Sequence, residues 1–144
     1  MSAPEAGVRV SDETRTFLES QRNLVLGTLR RDGSPQASPV WYLWTGDAFV
    51  ISTISATAKW WNLKRDPRCS VCVDDPETGR MVVAYGAATL DEDDVRERTR
   101  DLVAKYYPGE PELIDPHMSR IFDGQKRVLI TLKPDHIITR QPDE

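Results

Sequence analysis

Short apolar runs separated by turn residues dominate the pattern of hydrophobic and polar positions along the chain. Asp32-Gly33, between the first two runs, is a strong hairpin signal, and Thr45-Gly46-Asp47 marks a second turn. Runs of this length with turns between them are typical of antiparallel β-strands. The predicted strands cover residues 23–31, 34–44, 48–53, 68–73, 80–90, 126–132 and 136–139.

Apolar residues at helical spacing mark three further segments. In the first, Ser11 is a candidate N-cap, and Phe17 and Leu18 face inward. The second must end before Pro67, because the residue preceding a proline disfavours the helical conformation. The third opens with four acidic residues, which suit the positive end of a helix dipole. The helices are predicted over residues 11–21, 57–65 and 91–107, and the loop over residues 110–123 includes a helical turn at 116–122.

Six or seven strands with few helices are typical of a small antiparallel β-barrel with peripheral helices. Closure is favoured because a flat sheet would leave its edge strands exposed. A length of 144 residues suits one domain. We therefore expect a single domain over residues 1–144, ordered from about 11 to 140, with residues 1–9 and the last few residues flexible.

The composition is that of a globular protein, with 39% hydrophobic and 29% charged residues. The apolar runs are far shorter than the ~20 residues that a membrane helix needs. Residues 1–5 lack the basic and apolar regions of a signal peptide. The sequence thus predicts a cytoplasmic protein with no membrane partner.

Cysteine and histidine are too few for several chemistries. Cys69 and Cys72 lie in one predicted strand, where residues three apart point to opposite faces. With only His117 and His136 besides, the sequence predicts no metal site and two reduced thiols. The nucleophile elbow, the P-loop and the dinucleotide-binding glycine motif are also missing from the sequence.

The net charge of −4 is unevenly distributed along the chain. Residues 21–73 hold seven Lys or Arg and three Asp or Glu, a net of +4. Residues 74–144 hold ten basic and sixteen acidic residues, a net of −6. An acidic total is not typical of a nucleic-acid-binding protein. The basic segment indicates a local site for a small anion instead.

The junction between the predicted strand over 48–53 and the helix over 57–65 is the best candidate for that anion site. Free backbone N–H groups at a helix start, nearby hydroxyls and Lys59 in the first turn together suit a phosphate. The alternative is that Thr57 only caps the helix and that Lys59 is solvated. The hydroxyl residues at this junction are Ser52, Thr53, Ser55 and Thr57.

Three motifs follow one another in the first half of the chain: L-G-T-L-R-R-D-G-S-P-Q-A-S-P-V-W-Y, then F-V-I-S-T, then A-K-x-x-N-L-x-R-D-P-R. Their order and spacing resemble the pyridoxamine 5′-phosphate oxidase-like split β-barrel family, most of all its actinobacterial branch of flavin- and deazaflavin (coenzyme F420)-dependent oxidoreductases. The resemblance is strong over residues 24–73 and weaker over 80–90 and 127–132. It implies an FMN-binding split barrel that forms a homodimer with its cofactor sites at the interface.

The resemblance also implies particular site residues. Lys59 matches the lysine that holds the cofactor phosphate, with Thr57 beside it, and the second strand passes along the cofactor ring. The cofactor-binding residues are then Gln36, Ser38, Pro39, Val40, Trp41, Ser52, Thr53, Ser55, Thr57 and Lys59. Weaker candidates for contacts from a second chain or with the cofactor tail are Lys64, Arg65, Arg80, Met81, Lys126 and Arg127.

Departures from the family pattern favour F420 over FMN. The oxidase proper grips FMN with an Arg and a Lys on the second strand, where this chain has neutral residues such as Ala37, Ser38 and Tyr42. The resemblance therefore implies an F420-dependent reductase that passes a hydride to a flat, conjugated small molecule, with no catalytic side chain assigned. The alternatives are an FMN-dependent oxidase or flavin reductase, and a non-catalytic binder of a deazaflavin, heme or oligonucleotide, the last opposed by the acidic second half.

Tryptophans are concentrated around the candidate site. Trp41 and Trp44 lie near the ring-facing strand and are candidates for the wall of a substrate pocket, with core packing as the alternative. Trp60 and Trp61 are neighbours on a helix and point roughly 100° apart. At least one of them is therefore expected to pack in the core.

Overall fold

The computed structural model describes residues 8–142, and within them the chain forms eight strands and four α-helices. The strands are β1 (Leu24–Leu29), β2 (Pro35–Val40), β3 (Leu43–Trp44), β4 (Phe49–Ile54), β5 (Arg68–Asp74), β6 (Met81–Asp91), β7 (Arg127–Leu132) and β8 (His136–Arg140). The helices are α1 (Asp12–Ser20), α2 (Ala58–Arg65), α3 (Val95–Ala104) and α4 (Ile114–Ile121), with a 3-10 turn at Pro111–Leu113.

The strands form one curled antiparallel sheet in the order β2-β1-β5-β6-β7-β4-β3, and β8 also pairs with β6. Over residues 8–142, no ladder joins β2 to β3, so the barrel is split between them. The predicted class, a mainly β antiparallel split barrel with peripheral helices, is confirmed. The expected closure of the barrel is not observed, and the strand count is eight because one predicted strand divides into two.

Strand β6 belongs to both halves of the sheet. One edge pairs with β5, whereas the other pairs first with β8 over Met81–Tyr85 and then with β7 over Ala88–Asp91. The connection between β7 and β8 passes over Gly86, where a Cβ atom would lie 2.8 Å from Leu132 Cδ1 and 3.2 Å from the Lys133 carbonyl oxygen. A side chain at position 86 would therefore collide with this crossing.

The main core lies between the two halves of the sheet. Ile51, Val71 and Ile130 from three strands contribute to it, and Leu18 of α1 and Trp60 of α2 close it. The predicted cap of α1 is confirmed, because the Thr14 backbone N–H donates to Ser11 Oγ at 3.1 Å. A smaller cluster between α3 and α4 consists of Val103, Ile114 and Met118.

The predicted strand over 34–44 is interrupted at Trp41 and Tyr42. The Tyr42 backbone N–H donates to the Tyr106 hydroxyl at 2.9 Å, and the Tyr42 carbonyl accepts from Tyr106 and Lys105. These hydrogen bonds to residues just after α3 take the place of strand-to-strand hydrogen bonds at Tyr42. Because the partners are distant in the chain, the local sequence did not reveal the interruption.

The predicted helix over 91–107 is shorter at both ends in the structure. Asp91 still pairs with Leu129 in the β6–β7 ladder, and Asp94 has a left-handed φ of 52°, so the helix begins only at Val95. The helical turn predicted at 116–122, within the loop over 110–123, is in fact the longer helix α4, and Pro116 lies in its first turn, where proline is tolerated.

The remaining expectations concern thiols, membranes and termini. Cys69 is buried in the core and Cys72 is half-buried on the other side of β5, and both are free thiols. Within residues 8–142, none of the helices has the length and apolarity needed to cross a bilayer. The expected flexibility of the termini falls, for residues 1–7 and 143–144, outside the described residues.

We predict that Gly86→Ala lowers the free energy of unfolding by roughly 1–3 kcal/mol, the usual cost of forcing extra volume into a packed site. The measurement is urea unfolding followed by tryptophan fluorescence. Gly27→Ala is the matched control, since its new Cβ would meet chiefly the rotatable Ser70 Oγ at 2.9 Å. Equal midpoints for Gly86→Ala and the unmodified protein would contradict the role of the crossing.

Candidate functional site

The end of β4 and the start of α2 form an open anion cradle, by which we mean Thr53, Ser55, Thr57, Lys59 and the first turn of α2. Thr57 occupies the N-cap position, but its side chain makes no capping hydrogen bond. Its hydroxyl donates to the Ile54 carbonyl at 3.0 Å instead. Because a first helical turn has no intrahelical acceptors for its N–H groups, these donors are available to a bound anion.

Lys59 supplies the positive charge of the cradle. Its side chain is half-buried, and burial lowers the pKa of its ammonium group from the ordinary value of 10.5. In the described part of the chain, no carboxylate forms an ion pair with it. Nearby, the Ser55 backbone N–H donates to the Lys126 carbonyl at 2.9 Å, which joins the cradle to the start of β7.

Strand β2 is attached to α2 through the buried side chain of Asn62. Its Nδ2 donates to Gln36 Oε1 at 2.8 Å and to Thr28 Oγ1 at 3.1 Å. Its Oδ1 accepts from Arg65 Nη2 at 3.2 Å, and Arg65 Nη1 also donates to the Leu29 carbonyl. This network orients Gln36 towards α2 and places β2 beside the cradle.

The other predicted residues of β2 divide between its two faces. Gln36, Ser38 and Val40 are half-buried, whereas Pro39 is exposed on the opposite face, as alternation along a strand requires. Trp41 has left the strand and stacks on Tyr106 with 3.9 Å between ring centroids and 6° between planes. The structure therefore brings Gln36 to α2, leaves Ser38 and Val40 on the same face of β2, and separates Trp41 from them.

Trp41 belongs to an aromatic cluster at the end of α3. His117 of α4 stacks on it at 5.2 Å, and His117 Nδ1 accepts from the Tyr107 hydroxyl at 2.9 Å and from Arg120 at 3.0 Å. Burial and the nearby arginines lower the pKa of His117, so its ring is neutral near pH 7. The cluster fixes the position of the Trp41 ring with the chain's own side chains.

Ser52 and Thr53 point to opposite faces of β4. Thr53 is buried, and its Oγ1 lies 3.4 Å from that of Thr57 in the cradle. The Ser52 hydroxyl lies 2.8 Å from Thr99 Oγ1 and accepts from Arg127 Nε at 3.1 Å, on the side covered by α3. The structure thus brings Thr53 to the cradle and directs Ser52 and Arg127 to the contact with α3 and α4.

The weaker candidates are dispersed. Arg80 forms an ion pair with Glu13 of α1 at 2.8 Å, and Lys126 pairs with Glu92. Met81 lies at the start of β6, where it pairs with both β5 and β8. Lys64 and Arg65 remain near the cradle, on α2.

A basic groove runs between the β1–β2 hairpin and α2. One cleft of about 370 Å³ is lined by residues of both elements and reaches Ala58 at the helix start. A second cleft of about 420 Å³ shares Arg31 and Arg65 with the first and extends to Trp61 and Lys64. The lining of this hairpin groove is Arg30, Arg31, Asp32, Gln36, Ala58, Trp61, Asn62, Lys64 and Arg65.

Acidic residues near the groove are already engaged. Asp32 accepts from the Ser34 hydroxyl and backbone N–H, and these bonds lower its carboxyl pKa. Asp66, at the end of α2, is bound by Arg68, and those hydrogen bonds lower its pKa to about 2. The basic character predicted for residues 21–73 is therefore concentrated in this groove and the cradle.

Sequence reasoning missed Asn62 and His117 as site residues. Asn62 interrupts the buried face of α2 between Trp60 and Leu63, and a polar residue at a buried helical position was the available signal. His117 was missed because its segment was predicted as mostly loop, and nothing in the sequence indicated that it would stack on Trp41. A group of three or more His, Cys, Asp or Glu side chains able to hold a metal ion is not found among residues 8–142.

The sequence of residues 10–141 matches the family model of pyridoxamine 5′-phosphate oxidase, and the chain belongs to this family. The family resemblance predicted from the sequence is thereby confirmed. Members of the family bind flavin-type cofactors and commonly form dimers with the ligand at the interface.

Solved structures show the same fold. A conserved hypothetical protein of Mycobacterium tuberculosis superposes with a TM-score of 0.76 at 23% identity, covering 98% of this chain and 90% of that protein. An F420 reductase is similar with a TM-score of 0.72 at 25% identity, over 90% and 98% of the two chains. A heme storage protein of Vibrio cholerae has a TM-score of 0.67 at 19% identity, over 91% and 94%. One fold therefore serves cofactor-dependent reduction and heme binding in different proteins.

We predict that Asn62→Ala lowers the free energy of unfolding by roughly 2–3 kcal/mol, since it leaves the oxygen atoms of Gln36 and Thr28 without their donor in a buried place. Urea unfolding measures the loss. Lys64→Ala, an exposed change on the same helix, is the control and should stay within about 0.5 kcal/mol of the unmodified protein. Similar losses for both variants would show that the Asn62 network does not stabilise the junction.

Proposed function

We propose that the protein is an F420-dependent oxidoreductase, which transfers a hydride between the deazaflavin cofactor and a conjugated small organic acceptor. The observation that carries the proposal is the anion cradle, in which an uncapped helix start meets a half-buried lysine without a carboxylate partner among the described residues. This donor set is suited to the phosphate of such a cofactor.

The chemistry of the cradle fits a phosphate better than a carboxylate. A phosphate offers several oxygens to the N–H groups of the first turn of α2, the Ser55 hydroxyl and the Lys59 ammonium. The chain leading away from the phosphate would lie between α2 and β2, where Gln36 faces the helix. The residues present therefore fit the phosphate end of the cofactor.

Two observations favour F420 over FMN. An F420 reductase is among the similar structures, at 25% identity over nearly the whole of both chains. The β2 positions where the resemblance implies FMN-gripping cations hold neutral residues, including Ala37 and Ser38. The heme storage protein, at 19% identity, supports the shared fold alone.

When bound, reduced F420 supplies a hydride, which the acceptor takes up together with a proton, and oxidised F420 remains. The chain's own residues would bind the cofactor and orient it. Lys59 and the start of α2 hold the phosphate, and the Asn62 network holds β2 at a fixed distance from α2. No side chain is assigned as the proton donor.

The test is titration of the purified protein with F420, followed by its fluorescence, and then oxidation of reduced F420 with a quinone as acceptor. Binding followed by acceptor-dependent loss of reduced F420 is the expected result. A protein that purifies with FMN and does not bind F420 would establish the flavin alternative, and one that binds F420 without turnover would be a carrier.

We predict that Lys59→Gln weakens F420 binding roughly 10–100-fold, the effect of losing a charged hydrogen bond. Because burial already lowers the pKa of free Lys59 and a bound phosphate favours its charged form, affinity is full below that lowered pKa and falls as the pH rises through it. Fluorescence titration at several pH values measures both effects. Lys59→Arg should retain most binding, and Arg9→Gln, an exposed change before α1, should retain all of it.

The pH dependence separates this account from a structural one. Lys59→Gln should lose the decline in affinity at alkaline pH as well as the affinity itself. An unchanged affinity, or the same alkaline decline in Lys59→Gln, would show that Lys59 does not hold the phosphate.

We further propose that the open face of the sheet binds a second copy of the chain. Val25, Cys72, Val83 and Ile138 lie side by side across four paired strands. Val25 is 41% exposed and Ile138 45% exposed, although both are apolar. A contiguous apolar row of this kind marks an interaction surface, and dimers are common in this family. Met81, predicted as a second-chain contact, lies on the same strand as Val83, two residues earlier, and faces the same side.

We predict that Ile138→Glu and Val25→Glu each convert a dimer into a monomer, because a charge would be buried without a partner at the interface. Light scattering after size-exclusion chromatography, at micromolar protein, gives the mass. Leu113→Glu, a change at another exposed apolar residue, is the control and should remain dimeric. A monomeric unmodified protein, or dimeric Ile138→Glu and Val25→Glu variants, would exclude this interface.

A further inference from the structure

The half of the hairpin groove that lies farther from the cradle combines cations with an exposed indole ring. Trp61 is 56% exposed, whereas its neighbour Trp60 is 2% exposed in the core. Exposure of a tryptophan to this extent is unusual for a side chain with so large an apolar surface. Trp60 is the ring of this pair that packs in the core, as expected. Core packing does not explain the exposed ring of Trp61.

Three cations surround this indole ring. Lys64 Nζ lies 5.1 Å from the Trp61 ring centroid, and Arg31 and Arg65 line the same cleft. Among residues 8–142, no carboxylate forms an ion pair with any of the three. Glu92, which Lys64 influences electrostatically, is paired with Lys126. The three cations therefore form no direct ion pair within the described residues, and the nearby carboxylates of Asp66 and Glu92 are paired with Arg68 and Lys126.

The cations differ in how firmly they are held. The Arg65 guanidinium is fixed by Asn62 Oδ1 and the Leu29 carbonyl, each at 3.2 Å, which leaves other N–H groups for a ligand. Arg31 stands at the hairpin tip beside the left-handed Gly33, and Lys64 reaches over the two indole rings. A fixed guanidinium beside an exposed aromatic face suits a ligand that is both flat and anionic.

We propose that this half of the groove binds a planar, conjugated molecule carrying at least one carboxylate or similar anionic group. Trp61 stacks on the conjugated rings, while Arg31, Lys64 and Arg65 bind the anionic substituents. The two clefts share Arg31 and Arg65, and the first reaches the start of α2, so this ligand would lie next to the proposed phosphate site.

A flexible oligocarboxylate, such as a cofactor tail, is the competing occupant of the same cations. It would need the positive charges but would gain little from Trp61, since it has no ring to stack. The exposed indole therefore favours the planar anion, and the contribution of Trp61 to binding distinguishes the two ligands.

The experiment uses three probes on the full chain without cofactor: anthracene-2-carboxylate, its neutral analogue anthracene-2-methanol, and triglutamate. Calorimetry or fluorescence anisotropy gives each affinity. We expect the planar carboxylate to bind most tightly. Its binding should weaken as the salt concentration rises from about 20 to about 300 mM, because the attraction between solvent-exposed charges is screened.

Trp61→Leu should weaken anthracene-2-carboxylate about five- to tenfold, the usual effect of removing one aromatic stack. Arg31→Gln should weaken it about threefold, as expected for an exposed charge pair. Arg9→Gln, the control cation, should have no effect. Both groove positions are exposed, so the variants should fold, and circular dichroism and urea unfolding verify this.

Several results would overturn the proposal. One is the absence of anthracene-2-carboxylate binding, and another is equal binding of its neutral analogue. Triglutamate that binds more tightly and is unaffected by Trp61→Leu would instead assign the groove to a flexible oligocarboxylate. Lys59→Gln should weaken F420 binding roughly 10–100-fold but leave anthracene-2-carboxylate binding unchanged, so a failure of the cofactor proposal is distinguishable from a failure of this one.

Discussion

The pairing of β6 with three strands is the constraint on which the rest of the structure depends. Its partner on one edge changes from β8 to β7, and the close crossing at Gly86 leaves no room for a side chain there. Through β5 this strand positions β1 and β2, and through β7 it positions β4. Helix α2 connects β4 of one half to β5 of the other, so the anion cradle lies where the chain passes between the two halves.

Polar contacts then determine how the cradle and groove are presented. The Thr57 hydroxyl binds the Ile54 carbonyl, which leaves the start of α2 without a side-chain cap. The buried Asn62 amide donates hydrogen bonds to Thr28 and Gln36, and these bonds hold the β1–β2 hairpin against α2. The local acids are bound to partners of their own, and the cations between hairpin and helix are left to attract an anion. The proposed phosphate site and the proposed site for a flat anion both depend on this packing.

The sequence was a good guide where local chemistry decides structure. Asp32-Gly33 produced the hairpin, Ser11 the cap of α1, and the cluster of hydroxyls and Lys59 the cradle. It was a poor guide where distant residues decide. Tyr106 draws Tyr42 out of its strand, and Arg127 and Thr99 bind the Ser52 hydroxyl, which was predicted to contact a cofactor. Ser52 and Thr53 were predicted as one pair, although alternation along β4 places them on opposite faces.

Sequence alone determined the family, the strand-rich class and the basic segment, because turn residues, alternation and charge are properties of neighbouring positions. Tertiary structure alone decided that Trp41 is held by Tyr106 and His117, and that Trp61 rather than Trp60 faces solvent. These features depend on contacts between residues far apart in the chain, whose energies outweigh local preference. The positive net charge of residues 21–73 was evident in the sequence. Only the packing of the β1–β2 hairpin against α2 showed that several of these cations line one groove.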